Sequence, residues 1–326
     1  METEITVLIA TRNRPESLER TIRSVLASLH PSFTIVVVDN APDDTATQDL
    51  LQARFGGDNR IRWTVEPMKG LARAHNTGLR MVTSPLVAIT DDDVVVDPFW
   101  LGHIVHAFAT SARVACVTGS IRAAELETPA QKWAENHLGF DKGYRRTTFN
   151  LDADRPRDPL FPYSAGSFGS GANMSFRTGF LREIGGFDPA LGAGSKAQGG
   201  DDLAVFFEVV KRGHSLVYEP AALVLHYHHR TFEQLERQIS GYGVGLGAFL
   251  TKVVVDRPIT VLPLLLRLFG GLRHLRGMRE TKSAGELGDP LFDGLRRRER
   301  LATLRGPMAY ARSRWSVRGE LRGGTS

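Results

Sequence analysis

Along the first 120 residues, short apolar runs alternate with segments whose apolar residues recur at helical spacing. Residues 5–10 (ITVLIA), 34–38 (TIVVV), 61–65 and 86–90 (LVAIT) are short and rich in β-branched residues, which predicts buried strands. Residues 17–29 set Leu18, Ile22, Val25, Leu26 and Leu29 on one face, with Pro31 just beyond, as a helix would. Further helical patterns cover 45–55, 70–81 and 98–109. Strand and helix alternating in units of about 30 residues imply βαβ crossovers and an α/β fold, a mostly parallel sheet with helices on both faces.

The pattern changes after Ser120. Residues 121–165 are charged and weakly periodic, so loops and short helices over the working edge of the sheet are expected. A glycine-rich stretch at 166–171 precedes a strand at 172–176 and a helix over about 177–184, which Gly185 and Gly186 stop. A second glycine-rich loop, 191–200, leads to Asp201, Asp202 and a helix through Arg212. Residues 216–219 and 222–226 read as late strands, and no solenoid repeat is visible. Residues 258–271 (PITVLPLLLRLFGG) are apolar but contain Pro263 and Arg267. As a helix they would span about 21 Å, short of the roughly 30 Å of a bilayer core. An interfacial helix or one packed on the body is expected there.

Composition narrows the class. Hydrophobic residues make up 42% and charged residues 24%, enough to bury a core. Cys116 is the only cysteine, which excludes a disulfide scaffold and fits a reducing compartment. The first apolar run is too short for a secretory leader, so none is expected. The net charge of +5 is uneven: residues 271–326 carry 13 Lys and Arg against 6 Asp and Glu, leaving the body at −2. A body that binds nucleic acid is therefore not expected. The tail suits an anionic membrane surface, or forms a solvated arginine-rich helix.

In an open α/β sheet, ligands sit beyond the carboxyl ends of the strands. Thr11-Arg12-Asn13-Arg14-Pro15 follows the first strand, Asp39-Asn40 the second, and Glu66, Lys69 and Gly70 the third. Asp91-Asp92-Asp93 follows the fourth. No turn requires three adjacent carboxylates. In an extended segment Asp91 and Asp93 point the same way, and hard oxygen ligands at that spacing suit Mg²⁺ or Mn²⁺ bridging a diphosphate. A dinucleotide fingerprint is absent, because the turn after the first strand contains no glycine. Gly166-Ser167-Phe168-Gly169-Ser170-Gly171 is not a Walker loop and predicts close backbone approach to a ligand or a neighbouring loop.

The succession ITVLIATRNRPESLERTIRSVL, VVVDN, GLARAHNTGL, ITDDDV, GSGANMSFR, GGFD and GGDDLAVFFEVVKRGH resembles the motif series of the family 2 glycosyltransferases, over roughly residues 5–230. The resemblance implies a GT-A fold over residues 1–230, followed by a helical extension over 231–326. It also implies inverting transfer from a nucleotide-sugar donor, helped by Mg²⁺ or Mn²⁺. Residue by residue, Asp39 matches the acid that contacts the donor's base, Thr11 lies in the loop lining the nucleotide, and Arg73 matches a basic position beside it. Asn76 lies one turn after Arg73. Asp91 and Asp93 match the DxD motif, the first toward ribose and metal and the second on the metal. Asp201-Asp202 matches an acidic pair whose second member is the catalytic base. Here the first acid is Asp where the family has Glu, and Glu208 stands where many members have Arg. His226 resembles the histidine that completes the metal site; His228 shares its strand face and competes for the role, while His229 points away.

The expected acceptor is a saccharide, a lipid-linked sugar or a small molecule, as in cell-surface polysaccharide or glycolipid synthesis. The expected location is cytoplasmic, at the inner face of the membrane if the tail docks there. Two alternatives compete. A nucleotidyltransferase would show a glycine-rich phosphate loop after the first strand, where TRNRP has arginines but no glycine. A silent sugar-nucleotide-binding scaffold would have lost the base or the DxD acids, and both are present.

Overall fold

The computed structural model of the chain describes residues 3–262 apart from 139 and 141, residues 264, 266 and 267, and residues 290–323. The distal part of the apolar stretch over 258–271, and tail residues 271–289 and 324–326, lie outside the described residues.

The first half of the sheet is parallel. Strand β1 (Ile5–Thr11) lies between β2 (Phe33–Asn40) and β4 (Leu86–Thr90), and β3 (Ile61–Glu66) flanks β2. Helices α1 (Pro15–Leu26), α2 (Ala46–Phe55) and α3 (Leu71–Met81) make the crossovers. Beyond β4 the direction alternates. Strand β8 (Asn173–Arg177) runs antiparallel to both β4 and β6 (Val114–Ala123), and β9 (Ser215–His226) is parallel to β6. Two three-residue strands, β5 (Val94–Val96) and β7 (Thr147–Phe149), pair antiparallel with the two ends of β9.

Alternate side chains of one strand enter two cores, as a sheet covered on both faces requires. Ile5, Val7 and Ile9 of β1 pack with α1, α2 and α4 (Trp100–Ala109). Leu8 and Ala10 pack with α3, α6 (Thr178–Glu183) and α7 (Asp201–Lys211). Helix α8 (Phe232–Asp256) adds Ala248, Phe249 and Val253 to that second core. The helices α9 (Pro290–Thr303) and α10 (Gly306–Gly323) pack on α8, and Tyr310 of α10 reaches the same core. The last helix therefore shares the body's core, while Leu295 of α9 joins a smaller cluster with Trp133, Leu235 and Ile239. Cys116 is buried and unpaired within the body's core.

The four early strands and their helices stand where the sequence pattern puts them, within a few residues. Where two late strands were expected, β9 is one strand of 12 residues with a register shift against Gly119 and Ser120 of β6. Helix α8 lies within the helical extension expected over 231–326, and the glycines at 241, 243, 245 and 247 lower its intrinsic helix propensity. Those glycines serve close packing: a Cβ on Gly247 would come 2.1 Å from the Thr303 carbonyl oxygen, and one on Gly245 2.8 Å from Gly199. By length and composition α8 could cross a membrane, yet half of its most apolar window is buried against the body. The stretch after it begins with a 3₁₀ turn (Pro258–Thr260) and is helical at the described positions through 267, with Leu264 in the core.

Candidate active site

Strand ends deliver the acids to one edge. The register sets Thr11 of β1 beside Asp39 of β2. Strand β4 ends at Thr90, the three aspartates follow, and β5 then pairs with β9 so that Val94 lies opposite His226. The Tyr227 N–H donates to the Asp93 carbonyl at 3.0 Å. This pairing brings a histidine from 133 positions down the chain to the acids.

Asp92 accepts the Thr11 hydroxyl at 2.6 Å and the Arg14 guanidinium at 3.1 Å, and Arg14 also reaches Asp93 at 3.0 Å. Thr11 is buried, and its hydroxyl is spent on Asp92. Asp91 and Asp93 meet His226. A carboxylate oxygen of each and a ring nitrogen of His226 all lie within 4.8 Å of one another. Burial and then the Asp93 charge push Asp91 up to about 7, against the pull of His226. Burial would raise Asp93 too, but His226 and Arg14 prevail and hold it below the usual carboxylate range. For His226, burial disfavours the charged form, yet Asp93 and Asp91 outweigh it and raise the pKa. Two hard oxygens and one imidazole nitrogen converging in this way fit Mg²⁺ or Mn²⁺.

The choice between the two histidines follows from the hydrogen bonds. His228 Nε2 lies 2.9 Å from the Glu135 carboxylate on α5 (Pro129–His137), and its Nδ1 lies 3.1 Å from His226 Nδ1. A carboxylate only accepts, so His228 carries its proton on Nε2 and offers Nδ1 as acceptor. Burial lowers the His228 pKa despite Glu135, which keeps the ring neutral. His226 must then donate from Nδ1, so Nε2, 3.3 Å from the Asp93 carboxylate, is the nitrogen that faces the acids. Phe140 stacks on His228 at 5.5 Å and fixes its plane. His226 thus faces the acids, and His228 orients it.

Asp39 is fully buried, and neither carboxylate oxygen has a hydrogen-bond partner of ordinary geometry. Burial raises its pKa, which the nearby Gln48 only partly offsets. Arg73, at the start of α3, is ion-paired with Glu320 of α10 and also contacts the Met68 sulfur at 3.6 Å. Asn76 is structural: its amide bridges the Phe187 N–H and carbonyl at 2.8 and 2.7 Å.

Asp201 and Asp202 open α7 after Gly200, whose φ of +85° suits glycine. Asp202 accepts the Gly171 N–H at 3.0 Å and the Leu203 N–H at 2.8 Å. The stretch 166–171 therefore approaches protein rather than leaving a gap: Gly171 meets Asp202, and the Phe168 carbonyl accepts the Thr118 hydroxyl at 2.5 Å. Burial raises the pKa of Asp202, opposed by these backbone donors and by the charge of Lys142. Asp201 is the more deeply buried; burial and then Asp202 push it up to about 7. Its carboxylate lies 4.0 Å from His75, which burial lowers to about 4 and leaves neutral.

Tyr242 of α8 had no signal in the sequence, because nothing near it is a motif. It is 40% exposed, its hydroxyl accepts from the Gln238 amide at 2.9 Å, and burial and the charges of Asp91 and Asp202 raise its pKa. Its hydroxyl therefore stays protonated. Arg14 and Glu135 were also missed, since their roles exist only once distant strands pair.

The profile of the glycosyltransferase-like family 2 matches residues 3–240. The chain is 28% identical over 226 residues to the pre-mycofactocin glycosyltransferase of Mycobacterium tuberculosis, covering 69% of this chain and 43% of that protein. It is 22% identical over 236 residues to the glucosyl-dolichyl phosphate glucuronosyltransferase of Haloferax volcanii, covering 72% and 70%. The chain thus spans less than half the length of the mycobacterial relative. Its fold is similar to that of a mannosyltransferase from Pyrobaculum calidifontis solved with GDP-Man and Mn²⁺, with a TM-score of 0.65 at 17% identity over 94% of this chain and 88% of that one. With the family profile spanning the sheet and both acidic clusters, the chain belongs to glycosyltransferase family 2 and has the GT-A fold.

Proposed function

We propose that this chain transfers a sugar from a nucleoside-diphosphate donor to an acceptor hydroxyl, with inversion and with the help of a divalent cation. The observation that carries this reading is the convergence of Asp91, Asp93 and His226 at the strand ends. A cation held there by these three side chains supplies charge neutralisation for the leaving diphosphate. Asp39 suits the donor's base. Its carboxylate, which makes no hydrogen bond of ordinary geometry, accepts the ring N–H that uracil, thymine and guanine present and cytosine lacks. The relative from Pyrobaculum calidifontis binds a guanosine donor, GDP-Man.

Asp202 acts as the base. It is less buried than Asp201, and the Gly171 and Leu203 N–H groups fix its carboxylate while each oxygen keeps a lone pair. One such carboxylate suffices to take the proton of an attacking hydroxyl in a single displacement. Asp201, packed against His75, positions the start of α7. Thr11 acts through Asp92, and Arg73 waits beside the base pocket in its pair with Glu320. The arginines that a nucleotidyltransferase would turn to phosphate are already engaged: Arg12 with Asp43, and Arg14 with Asp92 and Asp93. The acceptor class that fits is a saccharide or lipid-linked sugar, as the name of the Haloferax volcanii relative carries.

The test is release of nucleoside diphosphate from a panel of UDP-, TDP-, GDP- and CDP-sugars with Mn²⁺. Release from a uridine, thymidine or guanosine donor, lost on Asp202→Asn, is expected. Release only from CDP-sugars, or undiminished release by Asp202→Asn, would overturn the reading.

A further inference from the structure

The last helix has two faces of opposite character. Gly306, Tyr310 and Ser313 of α10 are buried against α8 and the body. At 100° per residue, Met308, Ala311 and Trp315 fall within a narrow stripe on the opposite side, and Leu304 in the preceding turn is exposed as well. These are not marginal exposures: Trp315 is 80% exposed and Leu304 76%. Arg305 and Arg312 flank the stripe on one side and Arg318 on the other, all exposed. Residues 304–319 contain four arginines and no Asp or Glu. A large indole and aliphatic side chains held in water, with cations on both flanks and no acid among them, are costly in solution and complementary to a surface that is apolar inside and anionic at its rim.

A second segment repeats the arrangement. After α8, Ile259, Leu262 and Leu266 recur at i, i+3 and i+7 and are all exposed, Ile259 at 88%. Leu264 enters the core, and Arg267 turns inward to the Phe161 carbonyl at 2.5 Å. The outward side of this segment is thus made of large apolar groups, although a packed helix would normally place its polar residues there.

We propose that the outer face of α10 docks on an anionic lipid surface, with Trp315, Met308 and Leu304 at the level of the headgroups and Arg305, Arg312 and Arg318 on the lipid phosphates. The exposed stripe after α8 serves as a second point of contact. Docking is peripheral, because the other face of α10 is committed to the body. It does not depend on the glycosyl-transfer reading and survives if that reading fails.

Trp315 makes the test direct. Of the four tryptophans, Trp100 and Trp133 are buried and Trp63 is partly buried, so only Trp315 stands in water. The full chain is mixed with vesicles of phosphatidylcholine alone or with added phosphatidylglycerol, and flotation and tryptophan emission are read. Flotation on the anionic vesicles, weakened by high salt, is expected together with a blue shift that brominated lipid quenches. Trp315→Phe should keep flotation and lose the shift. The pair Arg312→Glu and Arg318→Glu should reduce partition by roughly tenfold or more, each basic residue contributing on the order of a kilocalorie at such a surface. Its circular dichroism should stay that of the parent. No flotation on anionic vesicles, or flotation unaffected by the double reversal, overturns the proposal. So does a dimer with blue-shifted Trp315 in the absence of lipid, since a second copy would then own the face. Emission already blue-shifted in a monomer overturns it too, because residues 268–289 of the same chain would then cover the stripe.

Discussion

Charged side chains gather in two places on this molecule, and they are treated differently. Between α7, α8 and α10 a cavity of about 650 Å³ is lined by Asp188, Glu208, Lys252, Asp256, Arg257 and Arg314, among others. There the charges are mutually paired. Lys252 sits 3.1 Å from Asp188 and 2.6 Å from Asp256, and Glu208 holds Arg212 at 3.1 Å and Arg257 at 2.7 Å. At the strand ends the acids are left short of partners. Asp39 has no hydrogen bond of ordinary geometry and only a partial offset from Gln48, and burial pushes Asp91 and, at the start of α7, Asp201 up to about 7. Paired charges hold helices together; buried acids without partners cost stability and are kept where a ligand completes them. A concave, charged surface is therefore a weak pointer to chemistry, and under-compensated charge is a better one.

The largest effect is expected at the base. Asp202→Asn should lower sugar transfer by about 10²–10⁴-fold while nucleotide binding persists, read by diphosphate release beside calorimetric titration. Near-normal turnover would shift the role to Asp201. Asp93→Ala should abolish the metal-dependent part of nucleotide stabilisation, about 2.7 kcal/mol at a ligand concentration 100 times its dissociation constant. Unchanged stabilisation with Mn²⁺ would take Asp93 out of the metal site.

Asp201 gives a pH signature. Its folded pKa of about 7 lies above the unfolded value near 3.8, so the folded state binds the extra proton between those limits. Stability of the metal-free protein should fall as pH rises through that window and level off above it. Asp201→Asn should flatten the decline by on the order of 2 kcal/mol, measured by denaturant titration at pH 4.5 and 8. Part of the slope should remain, because Asp91 titrates in the same direction. The smallest effect belongs to the cavity. Lys252→Ala should cost about 1 kcal/mol and leave nucleotide binding and turnover unchanged; a loss of turnover would mean that the cavity belongs to the site after all.

Much of this was legible in the sequence, for identifiable reasons. The strands β1, β2 and β4 are buried on both faces, so their composition alone announces them, and the polar residues just after them mark the edge where ligands meet the sheet. Strand alternation predicts the pairing of Asp91 with Asp93, although Asp92 and Asp93 lie in the turn between β4 and β5 rather than in a strand. What could not be read depends on pairing across long distances. The three residues of β5 carry no pattern of their own, yet their pairing with β9 places His226 on the acids and leaves His228 to Glu135. Tyr242 lies on a helix with no motif around it, and the glycines beside it let α8 approach Gly199 and α9 closely. Arg73 was read beside the nucleotide from its motif, and its pairing with Glu320 of α10 was beyond reach, because nothing in either segment refers to the other.

The central claim is that buried acids at the strand ends are completed by a nucleotide and a divalent cation. Thermal unfolding with UDP, TDP, GDP and CDP, each with Mn²⁺ or with EDTA, tests it most directly. The account requires a uridine, thymidine or guanosine nucleotide to raise the midpoint with Mn²⁺ and not with EDTA, with CDP inactive and Asp39→Ala abolishing the shift. Equal stabilisation by all four nucleotides, or a shift that survives EDTA, would contradict it.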